Sequence, residues 1–380
     1  MNRLKGHICT PSGFVAGSIE WAADTGRIAH ISGTAVDPQT VRDSAAPIIL
    51  PGFIDTHVHG GGGHDIMEGG DAAMHVSALH AKYGTTSLLA TTMTAPMADL
   101  ATAFAGLTPY CHGRRMACAR ILGVHLEGPY INPGKLGAQP EFSRPMDTRE
   151  LSELNAMAPI RLITLAPEVP GNLESIPGLV AAGFKVQIGH TAGSYEDGRA
   201  ALAHGADGFT HLFNAMTGLH HRQPGMVGAA LAHAQFAELI PDLIHVHPGA
   251  IYTALRCIPN LFCVTDSTAA AGMPDGEYRL GRHTVTKCMG GVRLADGTLA
   301  GSTLTMDQAL RNLVIELGLD LADAARRVST HAATYLGIED RGRLVPGAFA
   351  DIVVMNRDLK LVDVFGEGTS LVDASLVVPS

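Results

Sequence analysis

The stretch 48-IILPGFIDTHVHGGGG-63 decides the fold. An apolar run leads into two histidines spaced two residues apart, His57 and His59, and then into four consecutive glycines. In extended chain alternate side chains share a face, so the two imidazoles can point into one site. Nearly continuous apolar character before them suits a strand buried on both faces. Gly60 to Gly63 then suits a chain that must turn sharply at the strand's end.

Runs of the same kind recur. IILPGFID (48–55) is followed by TSLLAT (86–91), ILGVHLE (121–127), RLITLAP (161–167) and FKVQIGH (184–190). GFTHLF (208–213), LIHV (243–246) and LFCVTD (261–266) complete the series. Ala-rich stretches with helical spacing lie between them, such as DAAMHVSALHAKYG (71–84) and SYEDGRAALAHGA (194–206). Strand-like runs alternating with helix-like runs predict an α/β fold, a (β/α)8 TIM-like barrel, over residues 48–340. Residues 1–47 and 341–380 read instead as short alternating β segments. The two ends are expected to form one discontinuous small β-sandwich domain, with the barrel inserted between them. Residues 272–300 read as a β-hairpin excursion ahead of the last helices.

Composition bounds the function. The chain has 380 residues, 46% hydrophobic and 17% charged, with a net charge of −9. No run of Lys or Arg could track a phosphate backbone, which argues against nucleic acid and anionic membrane as partners. No apolar run approaches the roughly 18 residues of a membrane span, and the first residues, MNRLKGHICTPSGF, lack the apolar core of a secretory signal. Six cysteines without a C-x-x-C pair read as free thiols, and the cytoplasm is the expected location.

Chemistry concentrates at the strand ends. Glu127 ends the third run, His190 the fifth and Asp266 the eighth, while His211 lies in the sixth. In a barrel this is the rim where the active site is built. Burying several such groups together is costly unless something compensates them. A divalent metal does so, and imidazoles with a carboxylate suit zinc or iron.

The motifs PGFIDTHVHG, GVHLEGPYINP, GHTAG, THLFNAM, HHRQPG, VTDSTAAAG and LAGSTLTM occur in order along nearly the whole chain. Together they resemble the N-acetylglucosamine-6-phosphate deacetylases of the amidohydrolase superfamily, and the closing GRLVPGAFADIVV resembles that superfamily's tail. The resemblance implies a main metal held by Glu127, His190 and His211, and a second on His57 and His59 with Glu127 as bridge. It implies one or two metals per subunit, Asp266 as general base and acid, and a homodimer. The substrate implied is an amino sugar phosphate, whose phosphate would be read by Asn214, the backbone amide of Ala215, Arg222 and His245. In dimeric relatives part of that phosphate site comes from the neighbouring subunit. Gln139 stands where some relatives carry a histidine that polarises the substrate carbonyl. An amide can donate a similar hydrogen bond but brings no positive charge.

The same residues bear on three rival functions. A cyclic-amide amidohydrolase usually bridges two metals with a carboxylated lysine at the end of the fourth strand, where this chain reads RLITLAPE without one. A deacetylase acting on N-acetylgalactosamine 6-phosphate differs by one epimeric hydroxyl, which the motifs do not decide. A non-catalytic relative should have lost a ligand or the aspartate, and all are present.

Overall fold

The computed structural model describes residues 1–113 and 117–371. Eight strands follow one another around a barrel: β1 Phe53–Val58, β2 Thr85–Thr92, β3 Arg120–Glu127, β4 Ile160–Leu165, β5 Lys185–Ile188, β6 Gly208–Phe209, β7 Phe236–Leu239 and β8 Asn260–Cys263. Parallel pairing joins β1 through β6 in sequence order, and β7 pairs with β8. Two junctions are made by isolated hydrogen bonds. The Leu212 amide donates to the Glu238 carbonyl (2.9 Å), linking β6 to β7. Asp266 N donates to His57 O and His59 N to Ser267 O, each at 2.9 Å, closing β8 onto β1. Every residue of β1 and β2 is buried, as strands covered on both faces require.

Some of the helices between strands are capped by side chains. Ser194 and Asp197 form a reciprocal capping box at the start of Tyr195–Ala203, and Asp147 caps Thr148–Met157 through the amides of Arg149 and Glu150. No helix among the described residues is long and apolar enough to cross a membrane.

The run 48–55 proves to be two strands. Ile48–Pro51 leaves the barrel and joins a seven-stranded sheet with Asn2–Thr10, Gly13–Trp21 and Ile28–Ala35 on one side and Ile352–Met355, Leu361–Gly366 and Thr369–Ser370 on the other. Both chain ends thus contribute to one sheet, whose apolar face gathers Ile8, Ile19, Trp21, Ile49, Ile352 and Val354. Residues 372–380 of the expected β domain lie outside the described residues. The excursion at 272–300 is a three-stranded antiparallel sheet, Gly276–Leu280, His283–Cys288 and Gly291–Arg293.

The apolar pattern misplaces one strand. LIHV (243–246) is a turn, with Leu243 at φ 64° and the Asp242 carboxylate accepting from the amides of Ile244 and His245. The seventh strand is Phe236–Leu239, interrupted by a fully buried Glu238. A charged residue inside the run hides it from an apolar criterion. The sixth run is extended only over Gly208–Phe209, and the chain turns before His211.

Candidate active site

The glycine stretch is an ordered tight turn. Gly60–Gly61 pairs with His64–Asp65, and Gly62 and Gly63 take φ of 64° and 88° at the turn itself. Gly62 N and Gly63 N donate to the carbonyls of Ala271 and Ala269 (2.9 and 2.8 Å), which pins the turn to the segment after β8. A side chain at Gly60 would meet Ala269 N at 2.5 Å. The chain can therefore leave β1 beside the mouth without covering it.

Five ligand-type side chains converge above the strand ends. Glu127 is buried, and its two oxygens face two pairs of imidazoles. Oε1 lies 3.1 Å from His190 Nε2 and 3.0 Å from His211 Nε2. Oε2 lies 3.1 Å from His59 Nε2 and 3.5 Å from His57 Nε2. Asp266 joins the group, with Oδ1 3.3 Å from His59 Nε2 and 3.6 Å from His57 Nε2. Three of these residues hold left-handed backbone: His190 at φ 47°, His211 at 29° and Asp266 at 50°. That region is sparsely used by residues with side chains, and strain of this kind concentrates at functional sites.

The donor set fits a cation. His190 donates its Nδ1 proton to the Lys135 carbonyl (2.8 Å), and His57 donates its own to Glu238 Oε2 (3.0 Å). A neutral imidazole has one proton, so both Nε2 atoms carry lone pairs aimed at carboxylate oxygens. Acceptors facing acceptors in a buried site are costly, and a divalent cation among them satisfies every atom. The histidines and carboxylates fall into groups of metal-binding spacing, His57–His59–Glu127 and Glu127–His190–His211. A third group, His57–His125–Glu238, differs in kind. There His125 already donates to Thr56 O (3.0 Å) and accepts from Thr164 Oγ1 (2.7 Å).

Without a metal, protons on the imidazoles supply the positive charge this cluster demands. Burial pulls the His59 imidazole down, but its bonds to Asp266 and Glu127 outweigh that and push it up to about 9. Burial raises the Asp266 carboxyl, yet the His57 and His59 rings prevail and hold it below the usual carboxylate range. The cluster has negative potential to spare, and Asp266 is ionised at neutral pH.

A cavity of about 310 Å³ opens onto this cluster. Glu127, His59, His190, His211 and Asp266 line it, and so do Gln139, Asn214, Ala215 and His245. His57 sits one layer deeper. Arg222 does not line the cavity; it stands exposed on the loop before Gly225–His233, with its amide donating to His220 Nδ1 (3.3 Å). His247 accepts from Gly249 N (3.1 Å) as the cap of Pro248–Cys257. Gln139 is held at both ends of its amide. Oε1 accepts from Thr94 N and Nε2 donates to Glu127 Oε2, both at 2.6 Å. The excursion sheet supplies Leu280, and the chain after it supplies Thr298 and Leu299.

Several supporting residues carry little signal in the sequence. Glu238 lies behind His57. Glu168, just beyond β4, accepts from Thr191 Oγ1 and Ala192 N, both at 2.6 Å, and so fixes the loop that carries His190. Asp242 accepts the Nδ1 proton of His245 at 2.6 Å. What could have found them is a lone carboxylate inside or just after an apolar run. Lys135, which lines the same cavity, sits in a Gly-rich loop without even that mark.

Known proteins resemble this chain in sequence and fold. The model of the amidohydrolase family matches residues 48–371. An N-acetylgalactosamine-6-phosphate deacetylase of Escherichia coli O157:H7 is 40% identical over 338 residues, covering 87% of this chain and 89% of that protein. An N-acetylglucosamine-6-phosphate deacetylase of Vibrio furnissii is 39% identical over 334 residues, 86% of this chain and 84% of its own length. Among solved structures, a variant of the Mycobacterium smegmatis N-acetyl-D-glucosamine-6-phosphate deacetylase in complex with N-acetyl-D-glucosamine 6-phosphate superposes with a TM-score of 0.88. That chain is 33% identical, and the match covers 97% of this chain and 98% of it.

Proposed function

The chain belongs to the amidohydrolase family, and from that premise we propose that it hydrolyses the acetamide of N-acetyl-D-glucosamine 6-phosphate to D-glucosamine 6-phosphate and acetate. The observation that carries this reading is one buried carboxylate, Glu127, shared between two imidazole pairs at the floor of a cavity that also holds Asp266. Glu127, His190 and His211 would hold the main divalent metal, zinc or iron, and His57 and His59 with Glu127 would hold a second. Such a metal supplies a water acidified from about 15.7 toward 7 and a positive charge for the developing oxyanion.

The chain's own residues do the rest. Asp266, kept ionised by its neighbours, accepts the proton of the attacking water. It then returns that proton to the sugar nitrogen, because an amine leaves poorly unless protonated. Gln139 keeps one amide hydrogen on Glu127 and has a second with which to meet the substrate carbonyl. At the far side of the cavity Asn214, the amide of Ala215 and His245 receive the phosphate. Arg222 stands outside its own chain's cavity, which supports a homodimer in which it completes the partner's phosphate site. Residues 1–51 with 341–371 serve as a discontinuous β domain, residues 52–340 as the catalytic barrel, and the cytoplasm is the place of action.

A second reading keeps the mechanism and changes the sugar. The relative from Escherichia coli O157:H7 is named for the galacto epimer, and at 40% identity it matches this chain as well as the Vibrio furnissii gluco enzyme does. Acetate release from each epimer, and from unphosphorylated N-acetylglucosamine, separates the two. Fast release from the gluco phosphate alone is expected. Release from the galacto phosphate alone would replace the substrate, and release from neither with metal bound would refute the deacetylase.

A further inference from the structure

Glu238 lies within β7 and is fully buried. It does not line the cavity, yet its carboxylate reaches both halves of the candidate metal centre. Oε1 accepts from Thr56 Oγ1 at 2.9 Å. Oε2 accepts from His57 Nδ1 at 3.0 Å and from the backbone amide of His211 at 3.3 Å. His125 packs edge-on against the His57 ring, with centroids 4.6 Å apart and planes at 75°, so the imidazole is fixed in plane as well as at its nitrogen. His59 is treated differently: its Nδ1 has no hydrogen-bond partner among the described residues. Within the first-strand pair, only His57 has its orientation set by a hydrogen bond at Nδ1.

We propose that Glu238 is a positioning residue that holds His57 in its Nδ1–H tautomer, turning the Nε2 lone pair toward Glu127 and thereby making the first strand a working half of the metal centre. The inference rests on the metal-dependent deacetylase proposed for this chain. A carboxylate only accepts, so it tolerates nothing but a donor at Nδ1. The second donor on Oε1, Thr56, is a hydroxyl on the strand that carries His57, so the carboxylate cannot rotate away without breaking both bonds. An amide in its place could present NH2 to Nδ1 and stabilise the opposite tautomer, whose Nε2 proton bars it as a ligand. Such outer partners typically change metal affinity by about 10–100-fold.

The test is zinc affinity of the full chain, measured by competition with a chromophoric chelator, for wild type, Glu238→Gln and His57→Asn. Glu238→Gln is expected to weaken, by about 10–100-fold, the same zinc that His57→Asn removes. The zinc that His57→Asn leaves in place should be weakened less. In zinc-loaded wild type, ring-nitrogen NMR should find the His57 proton on Nδ1. This second measurement can overturn the proposal even if Glu238→Gln does not fold. Wild-type zinc binding by Glu238→Gln, no zinc lost in His57→Asn, or a proton on Nε2 would each overturn the proposal. Acetate release by wild type is followed separately. Its absence with the expected zinc pattern would sink the deacetylase alone, whereas its presence with an indifferent Glu238→Gln would sink this inference alone.

Discussion

The two ends of the cavity are built by different means. The metal end hangs on strand termini, where Glu127, His57, His59 and Asp266 are all less than a tenth exposed and several are tied to backbone that closes the barrel. The end proposed to take the phosphate is made of loops, with Asn214 and Ala215 in a turn and His245 in the turn after β7, while Arg222 stands outside the cavity in solvent. Side chains at strand ends are placed by the barrel itself. Loop side chains need local braces such as Asp242, or a second copy of the chain. Reaction chemistry should therefore fail abruptly when the metal end is altered, and substrate selection should fail gradually when the phosphate end is.

Among substitutions, Asp266→Asn gives the largest expected effect, a fall in kcat of roughly 10²–10⁴-fold with bound metal retained. Steady-state kinetics with metal analysis checks it, and near-normal turnover would remove Asp266 from the chemistry. Chelation should abolish acetate release, and added zinc or iron should restore it; activity that survives complete metal removal would break the contrast at its metal end. Arg222→Ala is expected to raise KM for the phosphorylated sugar by about tenfold or more and to leave kcat nearly unchanged, as loss of a charge-assisted phosphate contact requires. If a partner chain supplies that arginine, mixing Arg222→Ala with Asp266→Asn subunits should rebuild part of the wild-type KM.

A subtler prediction concerns pH. Burial lowers the His245 imidazole, but Asp242, with a smaller contribution from Asp266, outweighs burial and the opposing Arg293 and raises it. A raised imidazole keeps its charge to higher pH and loses it as pH climbs through the raised value. Asp242→Asn should therefore make KM for the phosphate ester begin to rise at lower pH than in wild type. A KM profile identical in the two proteins would contradict the bracing role. The smallest effect belongs to Gln139→Ala, a loss of several-fold in kcat, because the amide braces Glu127 without carrying charge. A loss as large as that of Asp266→Asn would show that Gln139 does more than donate neutral hydrogen bonds.

The same division governs what is legible in the sequence. Ligand-type residues at the ends of apolar runs stand out, so His57, His59, Glu127, His190, His211 and Asp266 can be picked from the chain alone, as can the barrel. Glu238 cannot, because a buried carboxylate inside a strand is indistinguishable from a break in the apolar pattern until its partner His57 is placed across the barrel. For the same reason LIHV looks more like a strand than FAEL, which forms it. The glycine turn is legible as a sharp exit, but its fixing by Ala269 and Ala271 depends on contacts more than 200 residues away. The sequence points Gln139 toward the substrate, whereas one of its two shortest bonds runs to Glu127. At the phosphate end only the family resemblance singles out residues, since nothing in the spacing of a loop fixes where its side chains reach.

The most direct measurement is a crystal structure of the metal-loaded Asp266→Asn protein with N-acetylglucosamine 6-phosphate bound. The acetamide is predicted to lie over Glu127, His190 and His211, with the phosphate among Asn214, Ala215 and His245. A phosphate seated on the histidine cluster, or an acetamide pointing away from it, would contradict the account.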